Sequence, residues 1–343
     1  VHIDFAHRTF RWDSEASSKA HVHCVIVGFS IAPNSAPRRI FIDGRSQVVQ
    51  NINGYLLNAD NVFVESCSKA ICNVPKIGIG NMPIDNGQYI FTHEEYMNFI
   101  KVEPDAQKWF HKWYGSQEFI NQCPRYCLWL EKCSPNELNK LPNCKKRVVA
   151  VQQFRMNSNR ASTRKLAATP TLFGTRNIPN GNYVLIPKVS SEKRRYIPIG
   201  LMTPDVLCSD LVFIIPDAGL YHFGVLTSNV HMAWTKTVCG RLKSDYRYSK
   251  DIVYNNFPWP TPTAAQKARI EQTAQAILDA RVLYPDCSLA DLYDQATMPP
   301  ELIKAHQDND RAVMDAYGMP VNSTNEALCV AWLMRMYQKL TQK

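Results

Sequence analysis

The chain has 343 residues, of which 45% are hydrophobic and 20% are charged, and its formal net charge is +9 at pH 7. This length and composition predict a globular protein of two or three modules, each large enough to bury a core. No apolar run approaches the roughly 20 residues that a membrane span needs, and the first residues lack a signal-peptide pattern. The eleven cysteines are odd in number and scattered, which favours reduced thiols in a cytoplasmic protein over a disulfide framework.

The first 60 residues have the pattern of β-strands. Apolar runs of strand length occupy His21–Phe29 and Arg38–Asp43, and Gly44 ends the second run. Proline and asparagine residues between the two runs mark a loop. Two strands joined in this way predict the closing hairpin of a larger sheet.

Short helical signals follow between turn residues. Capping boxes at Thr92–Glu95 and Ser134–Glu137 each predict the start of a helix. Another short helix is predicted to begin at Pro104 and to end at Gly115. Its aromatic residues are Trp109, Phe110 and Trp113.

A longer helix is predicted from about Asn143 to Ala168. Its apolar face contains Val148, Val151 and Phe154. Arg160 and Arg164 are four residues apart and are therefore expected on the same side of this helix. The basic residues form its predicted polar face: Lys145, Lys146, Arg155, Arg160, Arg164 and Lys165.

Three strands and a helix are predicted next. The strand patterns, each bounded by Pro, Gly or Asp, cover Tyr183–Val189, Tyr196–Met202 and Leu211–Ile215. Residues 222–238 have a helical pattern that ends at Gly240.

The pattern after Pro260 is helical. A capping box at Thr263–Gln266 begins one helix, and residues 300–317 form another that stops at Gly318. A box at Ser323–Glu326 caps the last helix. The apolar faces are Ile270, Ala274, Ile277 and Leu278 in the first of these helices, and Leu328, Trp332 and Met336 in the last.

The basic residues are unevenly distributed. Residues 145–250 contain 17 Lys and Arg against 5 Asp and Glu, whereas the rest of the chain contains 22 against 25. The middle of the chain therefore holds the whole basic excess. This distribution favours one surface that binds a polyanion over a general solubility charge.

Residues 231–260 interleave cations with aromatic side chains. Cations neutralise phosphates and planar groups stack on bases, so the pattern favours a nucleic-acid surface, with a solvated charged face as the alternative. The cations are Lys236, Arg241, Lys243, Arg247 and Lys250, and the aromatic residues are Trp234, Tyr246, Tyr248 and Tyr254.

Short motifs along the chain are similar, in the same order, to those of one enzyme family. They are GNMPIDNG at 80–87, GSQEFIN at 115–121, TRKLAATPTLFG at 163–174, IPKVSSEKRRYIPIG at 186–200, YHFGVLTSNVHMAW at 221–234, CGRLKSDYRYS at 239–249 and YNNFPWP at 254–260. With them the chain resembles the MmeI-like (type IIL) DNA methyltransferases, the adenine-modifying enzymes of fused restriction-modification systems. FAHRTFRW at 5–12 and AHVHCVIVGF at 20–29 resemble the segment that closes the methyltransferase domain of that family.

The resemblance implies an α+β architecture in three parts. Residues 1–60 would be the truncated end of a class I methyltransferase sheet, residues 61–260 a mixed α/β target-recognition domain, and residues 261–343 a helical C-terminal domain. It also implies sequence-specific recognition of duplex DNA. The intact enzyme would methylate adenine N6 with S-adenosylmethionine, and the upstream methyltransferase domain would be a partner within the same polypeptide.

The chain itself lacks the motifs of methyl transfer. An amino-methyltransferase needs a glycine-rich cofactor turn and an Asn/Asp-Pro-Pro-aromatic tetrapeptide at the target amine. Gly78 and Gly80 lack the third glycine and the helix of a cofactor turn, and Gly28 has no glycine partner. Since the resemblance places both motifs before Val1, no catalytic residue is predicted in this chain, which would be the C-terminal part of a longer enzyme.

Lys243 and Asp245 are the candidate base-reading pair. Lys can donate to guanine O6 and N7 and Asp can accept from cytosine N4, so the two could read one G·C pair. The resemblance points the same way, because the positions around this motif are linked to sequence choice in the family. If the segment is extended, Arg247 shares their face. A surface salt bridge between Lys243 and Asp245 is the alternative; Arg241 and Lys236 are further candidates for DNA contact.

Two other basic groups are candidates for contacts with phosphates, which position a protein without specifying sequence. The first joins two predicted strands and consists of Ser190, Ser191, Lys193, Arg194 and Arg195, with Ser190 and Arg194 expected closer to bases. The second consists of Arg160, Arg164 and Lys165 on the predicted long helix. A solvated surface is the alternative for both groups.

Three further sets have simpler interpretations. Lone histidines are more often structural than ligand contacts, and those of the recognition region are His222 and His231. No metal is predicted, because four neighbouring cysteines lack a Cys-x-x-Cys pair: Cys123, Cys127, Cys133 and Cys144. Two aromatic residues are predicted to be packing anchors: Phe257 and Trp259.

Two other functions fit the same residues. A stand-alone DNA-binding specificity subunit would need no catalytic motif. A part of an RNA-modifying enzyme would show the same mixture of basic and aromatic residues, and a preference for single strands or RNA would identify it.

Overall fold

The structure is a computed structural model that describes residues 1–13, 21–32, 34–321 and 326–342. It is a mixed α+β fold, as predicted. The strands are β1 His2–Asp13, β2 His21–Ser30, β3 Arg38–Ile42, β4 Arg45–Val49, β5 Gly78–Ile79, β6 Ile90–Phe91, β7 Phe110–Tyr114, β8 Arg125–Leu128, β9 Tyr183–Pro187, β10 Val189–Ser190, β11 Gly200–Met202, β12 Val206–Cys208, β13 Val212–Pro216, β14 Gly240–Leu242 and β15 Asp245–Arg247. The helices are α1 His93–Val102, α2 Ser116–Ile120, α3 Pro135–Asn139, α4 Pro142–Met156, α5 Ala161–Lys165, α6 Leu220–Leu226, α7 Asn229–Val238, α8 Ala264–Val282, α9 Leu289–Leu292, α10 Pro300–Ala316 and α11 Glu326–Thr341.

The chain folds into two compact units, each assembled from separate stretches of sequence. The first unit comprises Val1–Val74, Ser228–Arg269 and Asp308–Lys343. The second unit comprises Pro75–Thr227 and Ile270–Gln307. Both the recognition region and the helical C-terminal region of the sequence therefore contribute to each unit.

The N-terminal strands of the first unit form one sheet in the order β2-β1-β3-β4. β1 is antiparallel to β2 and parallel to β3, so it separates the two strands that the sequence predicts as a hairpin. That pairing is wrong. The hairpin that forms joins β3 to β4 through Asp43 and Gly44, whose positive φ angles of 48° and 75° suit a tight two-residue turn.

The YNNFPWP segment is part of the core of the first unit. Phe257 and Trp259 are buried, and the Phe257 ring packs edge-on against His231 with a centroid distance of 4.5 Å. Asn255 and Asn256 hold this segment in place, since their side-chain amides donate to the carbonyls of Cys67 and Glu65, respectively. The prediction that Phe257 and Trp259 are packing anchors is confirmed.

The last helix buries a different face from the predicted one. In α11 the side chains of Cys329, Leu333 and Tyr337 are buried, one position along from the predicted Leu328, Trp332 and Met336. Tyr337 contacts Trp234 of α7, with 5.9 Å between ring centroids. Ser323 of the predicted capping box lies outside the described residues.

The predicted helices after Pro260 are confirmed as α8 and α10. Thr263 and Gln266 exchange the two hydrogen bonds of the predicted capping box, and Gly318 ends α10 with a φ of 67°. Among the residues that the structure describes, no helix is both long and apolar enough to cross a membrane.

Two four-stranded sheets form the second unit, in the orders β11-β9-β13-β5 and β12-β7-β8-β6. The predicted strands at 183–189, 196–202 and 211–215 correspond to β9, β11 and β13, although β11 begins only at Gly200. The predicted helix over 104–115 is wrong after Trp109. The rest of that stretch is β7, whose Trp113 is buried beside Phe173 at a centroid distance of 5.8 Å.

The predicted helix at 143–168 is wrong in two respects. It is interrupted between α4 and α5, and Arg155 lies on its buried face instead of its polar one. Arg155 is 0% exposed, whereas Phe154, predicted on the apolar face, is 38% exposed. The buried stripe of α4 is Cys144, Val148, Val151 and Arg155.

The buried guanidinium of Arg155 donates to five backbone carbonyls. Nε donates to Ile84 at 2.9 Å, Nη1 to Leu166 at 3.0 Å and Thr169 at 3.1 Å, and Nη2 to Pro83 and Leu172, both at 2.8 Å. All five N–H groups of the side chain are therefore used. Burial lowers the pKa of Arg155, but an arginine keeps its charge in proteins, and the carbonyl dipoles replace its water shell.

Arg155→Lys should lower the free energy of unfolding by about 3 kcal/mol or more, because an ammonium group has three donors and leaves buried carbonyls without partners. Equilibrium unfolding in denaturant measures the change. Arg164→Lys is the matched control, since Arg164 is exposed and its Nη1 donates to one carbonyl, that of Ser158. The control should change the free energy by less than about 0.5 kcal/mol. Equal losses in the two variants would contradict the role of Arg155.

Candidate nucleic-acid interface

The candidate base-reading residues lie on a short hairpin of the first unit. β14 and β15 pair antiparallel, with Leu242 opposite Asp245 and Arg241 opposite Tyr246. Tyr246 is buried, and the Arg241 guanidinium lies 4.0 Å from the centre of its ring. Arg241 also donates to the Ser244 carbonyl at 3.0 Å, so it supports the hairpin from within.

Lys243 occupies the turn of this hairpin instead of a strand. Its φ of 56° is in the left-handed region, so the expected common face of Lys243, Asp245 and Arg247 is wrong. Asp245 and Arg247, two residues apart in β15, do share a face, which is opposite to that of Tyr246. Lys243 and Arg247 are exposed, and Asp245 is half-buried.

The aromatic residues of the basic run do not form a stacking surface. All of them are buried: Trp234, Tyr246, Tyr248 and Tyr254. Trp234, for example, donates its indole N–H to the Val253 carbonyl at 3.0 Å. The expectation that these planar groups stack on bases is therefore wrong; they form the core beneath the cations.

Two cations of the run are paired with carboxylates. Lys236 lies 2.9 Å from Glu326, and Lys250 lies 2.6 Å from Asp251. Such partly exposed pairs contribute little to stability, about 0–1 kcal/mol, so either lysine can exchange its partner for a phosphate at small cost. Lys236 is nevertheless a weaker candidate for DNA contact than Lys243 or Arg247.

The two histidines of the region have structural roles. His231 is buried in α7 and hydrogen-bonds through Nε2 to the Tyr248 hydroxyl at 3.0 Å. Burial lowers the pKa of His231 to about 3, so its ring is neutral at physiological pH. His222 accepts from the Gly219 N–H at 3.2 Å and thereby caps the start of α6.

The basic turn between β9 and β11 lies in the second unit. Within it, the hydroxyl of Ser191 accepts from the Lys193 N–H and the carbonyl of Ser191 accepts from the Arg194 N–H. Lys193 and Arg195 are exposed and Arg194 is half-buried. Ser190 is 2% exposed, so the expected approach of its hydroxyl to bases does not fit its burial.

Arg160 and Arg164 are both exposed, but they do not follow one helical face. Arg160 is the N-cap of α5 with an extended backbone, and Arg164 lies in the last turn of α5. Their predicted alignment along a continuous helix is wrong because the chain breaks between α4 and α5. Both remain candidates for phosphate contact in the second unit.

The candidate residues thus fall into two groups. The hairpin residues Lys243, Asp245, Arg247 and Arg241, together with Lys236, belong to the first unit. The second unit contains Ser190, Lys193, Arg194, Arg195, Arg160 and Arg164.

The glycines near the start of the chain do not fit a cofactor turn. A Cβ on Gly80 would lie 2.2 Å from the Ser209 carbonyl oxygen, and one on Gly28 would lie 2.1 Å from the Phe5 ring. These glycines permit close packing of backbone and side chain within the protein, not the approach of a nucleotide. Neither of these two glycines therefore belongs to a cofactor turn for S-adenosylmethionine.

The described residues contain no group of three or more His, Cys, Asp or Glu that could hold a metal ion. Of the cysteines weighed as zinc ligands, Cys127 and Cys144 are buried in the core of the second unit, where burial raises the pKa of both thiols.

Two polar groups of the second unit were not predicted from the sequence. Arg155 could have been found, since it continues the helical spacing of Val148 and Val151. The second group, Arg281, Tyr293 and His306, comes from three separate helices or turns and has no local pattern that links its members.

Three stretches of the chain match models of one family. Residues 1–42 match the DNA-methyltransferase domain of MmeI, residues 58–261 its target recognition domain, and residues 262–343 its C-terminal domain. The chain is 39% identical over 344 residues to DNA methyltransferase A of Bacillus subtilis (strain 168), a match that covers 100% of this chain and 39% of that protein.

A solved structure is similar over the same length. It is that of the type IIL restriction-modification enzyme MmeI in complex with DNA, with 42% identity, a TM-score of 0.89, and coverage of 100% of this chain and 46% of that one. The chain therefore spans less than half the length of each of these two relatives.

Lys243→Gly should leave the free energy of unfolding unchanged or raise it by up to about 1 kcal/mol, because glycine adopts a positive φ without the strain of a Cβ. Lys243→Val should lower it by about 1–2 kcal/mol, because a β-branched residue disfavours this conformation most. Thermal unfolding of the two variants measures the difference. Equal stability of the two would refute a left-handed turn at this position.

Proposed function

The chain belongs to the MmeI family and has that family's target recognition domain over residues 58–261, and we propose that it recognises the sequence of duplex DNA within a restriction-modification methyltransferase. One observation carries this proposal: an exposed turn with Lys243 at its tip is held by a hairpin whose Tyr246 is buried. The similar MmeI structure was solved in complex with DNA, which supports duplex DNA as the ligand.

Lys243 and Asp245 are the proposed base-reading residues. The turn holds the Lys243 ammonium at the exposed end of the hairpin, where it can donate to guanine O6 and N7 in the major groove. Asp245 begins the adjoining strand and can accept from cytosine N4. Arg247, on the same face as Asp245, is a further donor to a base or a phosphate.

The remaining exposed cations would supply affinity without sequence preference. Lys193, Arg195, Arg160 and Arg164 are exposed, and each phosphate that they neutralise releases counterions. Arg241 has a supporting role, because its guanidinium is engaged by Tyr246 and the Ser244 carbonyl.

The intact enzyme is proposed to methylate adenine N6, with S-adenosylmethionine as methyl donor and a methyltransferase domain upstream in the same polypeptide. The curated relative is a DNA methyltransferase, which supports methyl transfer to DNA as the reaction. Extrusion of the target base from the duplex would precede transfer. The enzyme is expected to act in the cytoplasm, where its unpaired cysteines would stay reduced.

Binding of the chain to a randomised duplex pool at two salt concentrations, followed by sequencing of the retained DNA, tests the proposal. An enriched motif is the expected result. Absence of binding even at low salt would overturn it, and stronger retention of RNA or single strands would favour an RNA-modifying enzyme instead.

Lys243→Ala should relax the preference at one base pair of the enriched motif, by about 1–3 kcal/mol of discrimination, because the donor to guanine is lost. Sequencing of the DNA retained by the variant measures this. Lys236→Ala is the control: Lys236 is paired with Glu326 and is not proposed to contact a base, so its loss should leave the base preference unchanged. A Lys243 variant that weakens all sequences equally would identify a phosphate contact instead.

Arg195→Ala should weaken binding to all duplex sequences evenly and make the plot of log affinity against log salt shallower by about one unit, the loss of one phosphate contact. Titrations at three or more salt concentrations measure the slope. An unchanged slope would exclude Arg195 from contact with the DNA backbone.

A further inference from the structure

The segment of residues 188–199, here called the basic segment, ends in buried residues of the second unit. The Tyr196 ring stacks on His306, with 4.1 Å between ring centroids and 16° between the planes. Three residues later, the Ile199 carbonyl accepts from Nη1 of Arg281 at 2.8 Å. Both His306 and Arg281 belong to the stretch that matches the family's C-terminal domain.

Tyr293 connects these two anchors. Its hydroxyl oxygen accepts from Nε and Nη2 of Arg281, and it lies 2.8 Å from Nε2 of His306. A phenol has one proton and two lone pairs, so with both lone pairs engaged by Arg281 its proton is donated to His306. Nε2 of His306 is therefore the acceptor, and the ring is the neutral tautomer protonated on Nδ1.

The electrostatics of the cluster keep the His306 ring neutral. Burial and the charges of Arg281 and Arg195 hold the pKa of His306 well below its usual value, so the ring stays neutral. A neutral His306 can accept the Tyr293 proton and stack on Tyr196. Nδ1 of His306 is buried and has no hydrogen-bond partner among the described residues, so the ring is held by its bond to Tyr293 and by its stack on Tyr196.

The exposed cations of the basic segment lie next to this anchor in the chain. Arg195 directly precedes Tyr196, and its guanidinium carbon is 5.5 Å from the centre of the Tyr196 ring. Lys193 lies two residues further on the N-terminal side. The position of both side chains therefore depends on where Tyr196 is held.

We propose that Tyr293, acting through Arg281 and His306, positions the basic segment for contact with the DNA backbone. The inference rests on the proposed function for the contact with DNA, and it adds a role for the helical C-terminal stretch 270–307. Tyr293 is a positioning residue: it acts through its neighbours, and Lys193 and Arg195 make the contact.

Tyr293→Phe in the full chain tests the proposal, because it removes one hydroxyl and keeps the ring. Tyr89→Phe is the matched control: Tyr89 is also buried in the second unit, and its hydroxyl donates to the Pro170 carbonyl at 2.6 Å. Tyr293→Phe removes a hydroxyl with three hydrogen-bond contacts and Tyr89→Phe a hydroxyl with one, so the two variants are compared under conditions of equal stability. A purely structural role for Tyr293 predicts the same behaviour in both variants under those conditions.

Three measurements are compared: unfolding in denaturant, amide hydrogen exchange of residues 189–199 without DNA, and duplex affinity at several salt concentrations. Tyr293→Phe should accelerate exchange in the basic segment and lower affinity roughly fivefold, the equivalent of one net hydrogen bond. It should also make the salt slope shallower by up to about one unit. When the two variants are compared under conditions of equal stability, Tyr89→Phe should change neither the exchange of the basic segment, nor the duplex affinity, nor the salt slope.

The double variant Arg195→Ala with Tyr293→Phe separates the two parts of the proposal. If Tyr293 acts through Arg195, its substitution should cause little further loss of affinity when Arg195 is already absent. Fully additive losses would overturn the proposal. Unchanged exchange in the single Tyr293 variant would overturn the positioning itself, whatever happens with DNA. Accelerated exchange with unchanged affinity would instead overturn the contact of this segment with DNA.

Discussion

The buried guanidinium of Arg155 is the interaction on which the second unit depends. It joins carbonyls of two segments, 83–84 and 166–172, that are far apart in the sequence. Loop carbonyls buried without donors would each cost about 1–3 kcal/mol, and one side chain from α4 satisfies five of them. Ile84, a β-branched residue with a φ of 52°, is held in this unfavourable conformation by the same contact. The guanidinium therefore connects both segments to α4.

A division of roles between aromatic and basic residues shapes the candidate interface. Aromatic side chains such as Tyr246 and Tyr254 are buried, which leaves the alternating cations on the surface. The same residues that suggest nucleic-acid stacking in the sequence thus provide a core that fixes the hairpin. A short hairpin alone is marginally stable in water, and burial of Tyr246 together with the Arg241 contact compensates for this. A rigid turn is what base discrimination needs, since a mobile lysine would bind phosphates as readily as bases.

The boundary between the recognition and C-terminal family domains is not a boundary in the packing. Residues 270–307 fold with the recognition residues of the second unit, while residues 308–343 fold with the first. Arg281 and His306 illustrate the consequence, because they bind the end of the basic segment from the helical stretch. The helical region is therefore integral to the units that present the candidate DNA contacts.

The sequence by itself determined the features that are local: the capping box at Thr92, the stop at Gly318, strand β9 and the family motifs, because each depends on neighbouring residues and on backbone preferences. It also indicated the candidate cations, whose exposure follows from the cost of burying a charge. Only the tertiary structure decided which residues depart from these local patterns and from the exposure expected of a charge. Arg155 is buried because distant loops supply its acceptors, β1 separates β2 from β3 because pairing depends on the whole sheet, and Lys243 lies in a turn because the register of β14 with β15 puts it there. The helical spacing of Arg155 places it in line with Val148 and Val151, but no local pattern identifies the distant carbonyls that accept from it.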